Sequence, residues 1–98
     1  MSAGTLIKTL KKPWKVGGKE ATDIEVRPAT MKDVCEAEQA ASAFQPNSFN
    51  VQMACLQVVR AGEFTGPFVA SHFTSLRPAQ FGEIAAALQE ADRLGEDA

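Results

Sequence analysis

The sequence predicts an α+β fold, an N-terminal β-hairpin followed by three to four α-helices in one small domain. Three observations lead there. Two short extended stretches meet at Val16-Gly17-Gly18-Lys19, the chain changes character at Arg27-Pro28-Ala29-Thr30-Met31-Lys32-Asp33, and beyond that point apolar residues recur at helical spacing. The chain has 98 residues, 45% of them apolar, which suffices for one modest core without metal or disulfide staples and leaves no room for a second domain. The hairpin is expected at about residues 5–27, the helical part at about 30–93 and a frayed acidic tail at 94–98.

Gly17 and Gly18 both tolerate positive φ, as a tight two-residue hairpin turn requires. In the second strand Ile24 and Val26 alternate with Asp23, Glu25 and Arg27, so one face is apolar and the other solvated. The first strand fits less well, because an unbroken ladder would put Lys11 opposite Ile24 and Thr9 opposite Val26. A bulge near Pro13, which has no N–H to give, would restore the match and move Leu10 toward the Ile24 face. A lone hairpin is marginal in water, so this one is expected to pack on the helices or on another copy of the chain, with Trp14 reaching across near the turn.

Pro28 disfavours helix in Arg27, Thr30 can cap a new helix and Asp33 stands where a capping-box acid belongs. The first helix is expected over about 31–43, with Met31, Val34, Cys35 and Ala41 inward. Phe44 to Ser48 ends it, and Asn47 or Ser48 can cap a second helix over about 49–61, whose Phe49, Met53, Leu56 and Val59 share a face and which stops at Gly62. Residues 63–67 read as loop, 68–73 as a short helix started by Pro67. A final helix from Pro78 to about Arg93 carries Phe81, Ile84, Ala85 and Leu88 as its stripe. The expected core is Ile24, Val26, Val34, Met53, Leu56, Val59, Phe81, Ile84 and Leu88.

No run of about 18 apolar residues offers a membrane span, and lysines interrupt the apolar start of the chain where a signal peptide would be hydrophobic, so no membrane association or export is expected. Cys35 and Cys55 lack a Cys-x-x-Cys spacing and are expected to be buried thiols in a reducing compartment, with no metal and no cofactor. His72 beside Ser71 lacks the third group and oxyanion hole of a nucleophilic site, and Gly17-Gly18-Lys19 leads into a strand, not the helix a phosphate loop needs. No catalytic residue is assigned and the chain is not expected to be an enzyme. Net charge is −2 but unevenly spread, with lysines concentrated in the first third and acids at the end. Lys11-Lys12-Pro13-Trp14-Lys15 interleaves base and aromatic as single-strand binders do, but a single tryptophan is thin evidence, and packing of Trp14 at the base of the turn is the favoured reading. Phe64, Phe68 and Phe73 either fill gaps under a loop or form an exposed apolar patch, which would mark a partner site together with Trp14.

Thr9-Leu10-Lys11-Lys12-Pro13, the glycine turn followed by Lys19, the strand Asp23-Ile24-Glu25-Val26-Arg27, the step Pro28-Ala29-Thr30, and a last helix entered through Leu76-Arg77-Pro78-Ala79 and carrying Ala87-Leu88-Gln89-Glu90 resemble the tail assembly chaperones of Mu-like phages and prophages. The resemblance covers most of the chain, but from Phe44 to Phe73 it rests on hydrophobic spacing alone. It implies a non-enzymatic protein of the host bacterial cytoplasm, absent from the mature virion, that coats the long helical tape measure protein until tube subunits displace it. In relatives a ribosomal frameshift makes a longer form that recruits the tail tube protein; a homo-oligomer is expected on separate grounds, because a two-stranded hairpin with an exposed edge and a small helical layer leaves apolar surface for a second copy to cover. The alternative is a small nucleic-acid-binding or regulatory protein using the basic hairpin, against which stand an acidic pI of about 5.3 and the lack of a basic helix stripe.

Overall fold

The computed structural model describes residues 5–41 and 45–96, and within them the chain is α+β. In chain order it forms β1 (Leu6–Val16), β2 (Lys19–Val26), α1 (Met31–Ala40), α2 (Pro46–Gln57), β3 (Val58–Ala61), α3 (Ala70–Thr74) and α4 (Pro78–Glu96). The three strands make one antiparallel sheet, β1-β2-β3, with β2 at its centre.

The hairpin closes on Gly17 and Gly18 with φ of 62° and 79°. Val16 pairs with Lys19 and Trp14 with Ala21 next to the turn, whereas farther out Thr9 pairs with Asp23 and Leu6 with Val26. Leu10, Lys11, Lys12 and Pro13 together therefore stand opposite Thr22, which is the bulge expected near Pro13. Ala21 and Ile24 are both buried, so the alternation of β2 slips at the same place. Leu10 packs at the margin of the core, and the main-chain N–H of Lys11, freed from the ladder, donates to Glu83 Oε2 at 3.0 Å.

At the switch, Thr30 caps α1: its hydroxyl accepts from the Asp33 N–H, and Asp33 Oδ2 accepts from the Thr30 N–H at 2.8 Å, the expected capping box. Arg27 adds a fork, donating through both terminal nitrogens to the two Asp33 oxygens at 2.8 Å. That pairing draws Asp33 inward, and it corrects the expected face of α1. Asp33 and Ala37 are buried, Val34 is half-buried, Met31 is 73% exposed and Cys35 is exposed, so Cys35 is not a buried thiol. The helix ends at Ala40, with Ala41 already extended, and so stops short of the expected end near residue 43; the loop at Phe44 lies outside the described residues.

The second helix begins at Pro46, in the first-turn position where a missing N–H costs nothing, and not after a cap at Asn47 or Ser48. It also ends at Gln57, four residues short of the expected end at residue 61. Val58-Val59-Arg60-Ala61 is strand: adjacent β-branched residues pack well in a sheet, and the open edge of β2 satisfies their main chain. Val58 faces the core and Val59 is exposed; Leu56 is half-buried while Ala54 and Gln57 fill the buried face beside Met53. The short helix is present but starts at Ala70, with Nδ1 of His72 accepting from the N–H of Val69 at 3.1 Å. In α4 the expected stripe holds, Ile84 and Leu88 being buried with Ala87 and Ala91 and flanked by Phe81 and Ala85. The expected fraying from residue 94 is corrected as far as Glu96: the helix continues, and Gly95 lies so close to Pro28 that a Cβ there would come within 2.8 Å of its ring. Asp97 and Ala98 lie outside the described residues.

Gly18→Ala is expected to cost on the order of 1 kcal/mol, the penalty of an L-residue at positive φ. A Cβ at Gly17 would in addition collide with the ring of Phe64 at Cδ1, so Gly17→Ala should cost measurably more in denaturant melts. Equal costs would exclude the contact between turn and ring.

The Arg27 fork, with the capping bonds, holds the Asp33 carboxyl down to about 2 from 3.8. A depressed carboxylate contributes stability above its unfolded value that is lost as pH falls through the folded one, here from about 4 to about 2, and at most about 2 kcal/mol is at stake. Melts across that window should show wild type and Asp33→Asn converging as pH drops, whereas a constant gap would refute the assignment.

Candidate partner-binding surfaces

The aromatic residues singled out in the sequence come together in one layer. Trp14 projects from β1, Phe68 from the loop before α3, Phe73 from α3 and Phe81 from α4, with ring centroids of Trp14 5.2 Å from Phe73 and 6.1 Å from Phe68. Phe64 arrives by a tight turn after β3: the N–H of Ala61 donates to the carbonyl of Phe64 at 2.8 Å, the N–H of Phe64 donates back at 2.9 Å, and Gly62 takes a φ of 57° to permit it. Phe64 then meets Phe68 edge-on at 5.1 Å and His72 at 5.3 Å.

This layer is interior. Trp14 (3% exposed), Phe68 and Phe73 are buried and Phe64 is half-buried, so the phenylalanines fill space beneath a loop and do not present an open apolar patch. The expectation that Trp14, Phe68 and Phe73 contact a partner is corrected accordingly, since their faces are already spent on fastening the hairpin to the 62–74 segment. Of the four, Phe64 alone keeps appreciable surface.

Two grooves that sequence periodicity did not reveal flank α4. One, of about 540 Å³, runs between Lys8-Thr9-Leu10 of β1 and the flank of α4, with Ala86 and Ala87 as its floor. Lys8 Nζ reaches Glu90 Oε2 at 3.1 Å, and Glu90 Oε1 lies 3.9 Å from Arg93. The other, about 180 Å³, lies between α2 and α4, floored by Phe49, Met53, Ala85 and Leu88 and rimmed by Asn50 and Gln89. The only trace of these grooves in the sequence is the row of alanines in α4, which thins that helix and lets its neighbours stand apart.

The basic character of the hairpin is partly neutralised. Lys8 pairs with Glu90, Lys19 with Glu63 at 2.8 Å, Arg27 with Asp33, and Arg60 on the open face of the sheet with Asp23 and Glu25. The contact with Lys19 lowers the pKa of Glu63 and raises that of the lysine. Lys11, Lys12 and Lys15 are exposed and form no ion pair among the described residues, but the tryptophan interleaved with them offers no face on which a base could stack. Among the described residues no three His, Cys, Asp or Glu side chains are grouped to hold a metal, and no helix is long and apolar enough to cross a membrane. Cys55 is half-buried, and burial pushes its thiol pKa up.

Comparison of the chain with protein-family models, with curated proteins and with solved structures finds no match.

Phe73→Ser is expected to cost about 3–5 kcal/mol, the range for emptying a buried aromatic site, and Phe64→Ser clearly less. Denaturant melts followed by circular dichroism check the order, and a harmless Phe73→Ser would contradict an interior aromatic layer.

Proposed function

We propose that this chain is a non-enzymatic tail assembly chaperone of the kind found in Mu-like phages and prophages, holding the tape measure protein in the host bacterial cytoplasm while the tail is built. The observation that carries this reading is the resemblance running from Thr9 through the glycine turn and strand to Pro28-Ala29-Thr30, taken up again from Leu76 to Glu90. The grooves beside α4 lend it support. A chaperone for a long helical partner needs apolar floors with polar rims that accept one stripe of an amphipathic helix, and it needs weak binding repeated along the partner. The α2/α4 groove has that make-up, with Phe49 half-buried and available to a guest. Recruitment of the tail tube protein would belong to a longer frameshifted form, and the virion would not retain the chaperone.

Co-expression with the tape measure protein from the same locus tests this. Phe49→Ser removes apolar contact worth on the order of 1.5 kcal/mol or more, so captured tape measure protein should fall about tenfold while the far-UV circular dichroism is retained. Replacing Lys11, Lys12 and Lys15 by glutamate should change capture little, because rim charges act mainly on encounter rate and salt dependence. A wild-type chain that binds single-stranded nucleic acid through those lysines and never captures the tape measure protein would replace this proposal with the nucleic-acid one.

A further inference from the structure

We propose that the outer edge of β1 at Ile7 and Thr9 is a docking edge for a second copy of this chain, added as an antiparallel strand so that two three-stranded sheets become one. The direction of the main-chain groups follows from β2. The carbonyl of Asp23 accepts from Gly62 and the N–H of Arg27 donates to Gln57, so these residues address the β3 side. By the alternation of an extended strand, Ile24 and Val26 then address β1, and their partners Lys8 and Leu6 address β2. Ile7 and Thr9 are left with N–H and C=O pointing away from the sheet, and among the described residues no other element bonds to them.

Elsewhere the sheet edges are interrupted or partly covered. Beyond Thr9 the bulge breaks the ladder, Pro13 has no N–H and the N–H of Lys11 is taken by Glu83. The edge of the short β3 is covered at its end by the chain itself, through the bridge between Ala61 and Phe64. The Ile7–Thr9 run is thus an open stretch free of such interruptions, and the side chain of Ile7 is 57% exposed.

A second copy fits better than an unrelated strand for two reasons. Reciprocal antiparallel pairing about Lys8 sets Ile7 against Thr9 of the other copy and Thr9 against Ile7, which satisfies every outward-facing group of both residues on both copies. The groove between this edge and α4 carries both signs, Glu83, Glu90 and Arg93 of α4 with Lys8 of β1, so the two-fold operation brings a mixed surface against itself. The two Lys8 side chains approach each other, but each brings Glu90 as its own counter-ion at 3.1 Å.

The test is sedimentation equilibrium of the purified chain alone at micromolar to high micromolar concentration, so its outcome does not depend on the tape measure protein. Wild type should dimerise reversibly. Thr9→Pro removes an outward N–H that the hairpin does not use, and it should weaken the dimer at least about tenfold while keeping the far-UV spectrum; Lys8→Pro removes an inward one and should unfold the hairpin. Should Thr9→Pro itself lose structure, Ile7→Glu decides, because it keeps every main-chain donor and sets a carboxylate in the seam, and it too should weaken association at least about tenfold. A wild type that stays monomeric throughout, or a folded variant that associates as wild type does, overturns the proposal.

Discussion

The buried amide of Gln57 is the junction on which the architecture depends. Its Nε2 donates at 3.0 Å to the carbonyl of Arg27 and at 3.0 Å to Asp92 Oδ1, and Asp92 accepts also from the N–H of Ala29 at 2.8 Å. The main-chain carbonyl of Gln57 accepts from the N–H of Arg27 at 2.9 Å. The end of α2, the end of β2, the switch into α1 and the last turns of α4 therefore meet at one side chain. An amide taken out of water needs such partners, and removing one would leave another buried and unpaired, so the junction is stable only when all four segments are in place. Arg27 extends it, since the residue whose main chain closes the sheet also grips the first turn of α1 through Asp33.

That junction explains which parts of the fold were legible in the sequence. The glycine turn, the bulge, the Thr30 cap and the stripe of α4 are local matters, settled by residues near one another in the chain, and each was found where expected. The passage from α2 into β3 was not legible, because Val58 to Ala61 continue an acceptable helical pattern and become strand only where the edge of β2 awaits them. The face of α1 was misjudged for a similar reason: hydropathy turns Met31 and Cys35 inward, but Arg27 holds Asp33 there instead. Of the candidate contacts, Phe64 keeps surface, while Trp14, Phe68 and Phe73 are interior because three segments distant in sequence converge on them.

α4 spans the two halves of this arrangement. Near its start Phe81 touches the aromatic layer, and near its end Asp92 enters the polar junction, with Glu83 and Glu90 gripping β1 in between. Its small residues let β1 and α2 stand off on either side, which opens both grooves. The surfaces available to partners are thus by-products of how a thin helix is clamped at its two ends.

The burial of Trp14 gives the molecule an internal gauge. It is the sole tryptophan, no tyrosine competes with its emission, and its indole sits where the hairpin meets the segment between β3 and α4. Its N–H is buried without a hydrogen-bond partner among the described residues, so wetting of the layer changes the surroundings of that group and shifts the fluorescence. Ellipticity reports mainly the helices, while this ring reports the closure of the hairpin upon them. Superposed, the two signals distinguish one cooperative unit from a helical part that outlives its sheet.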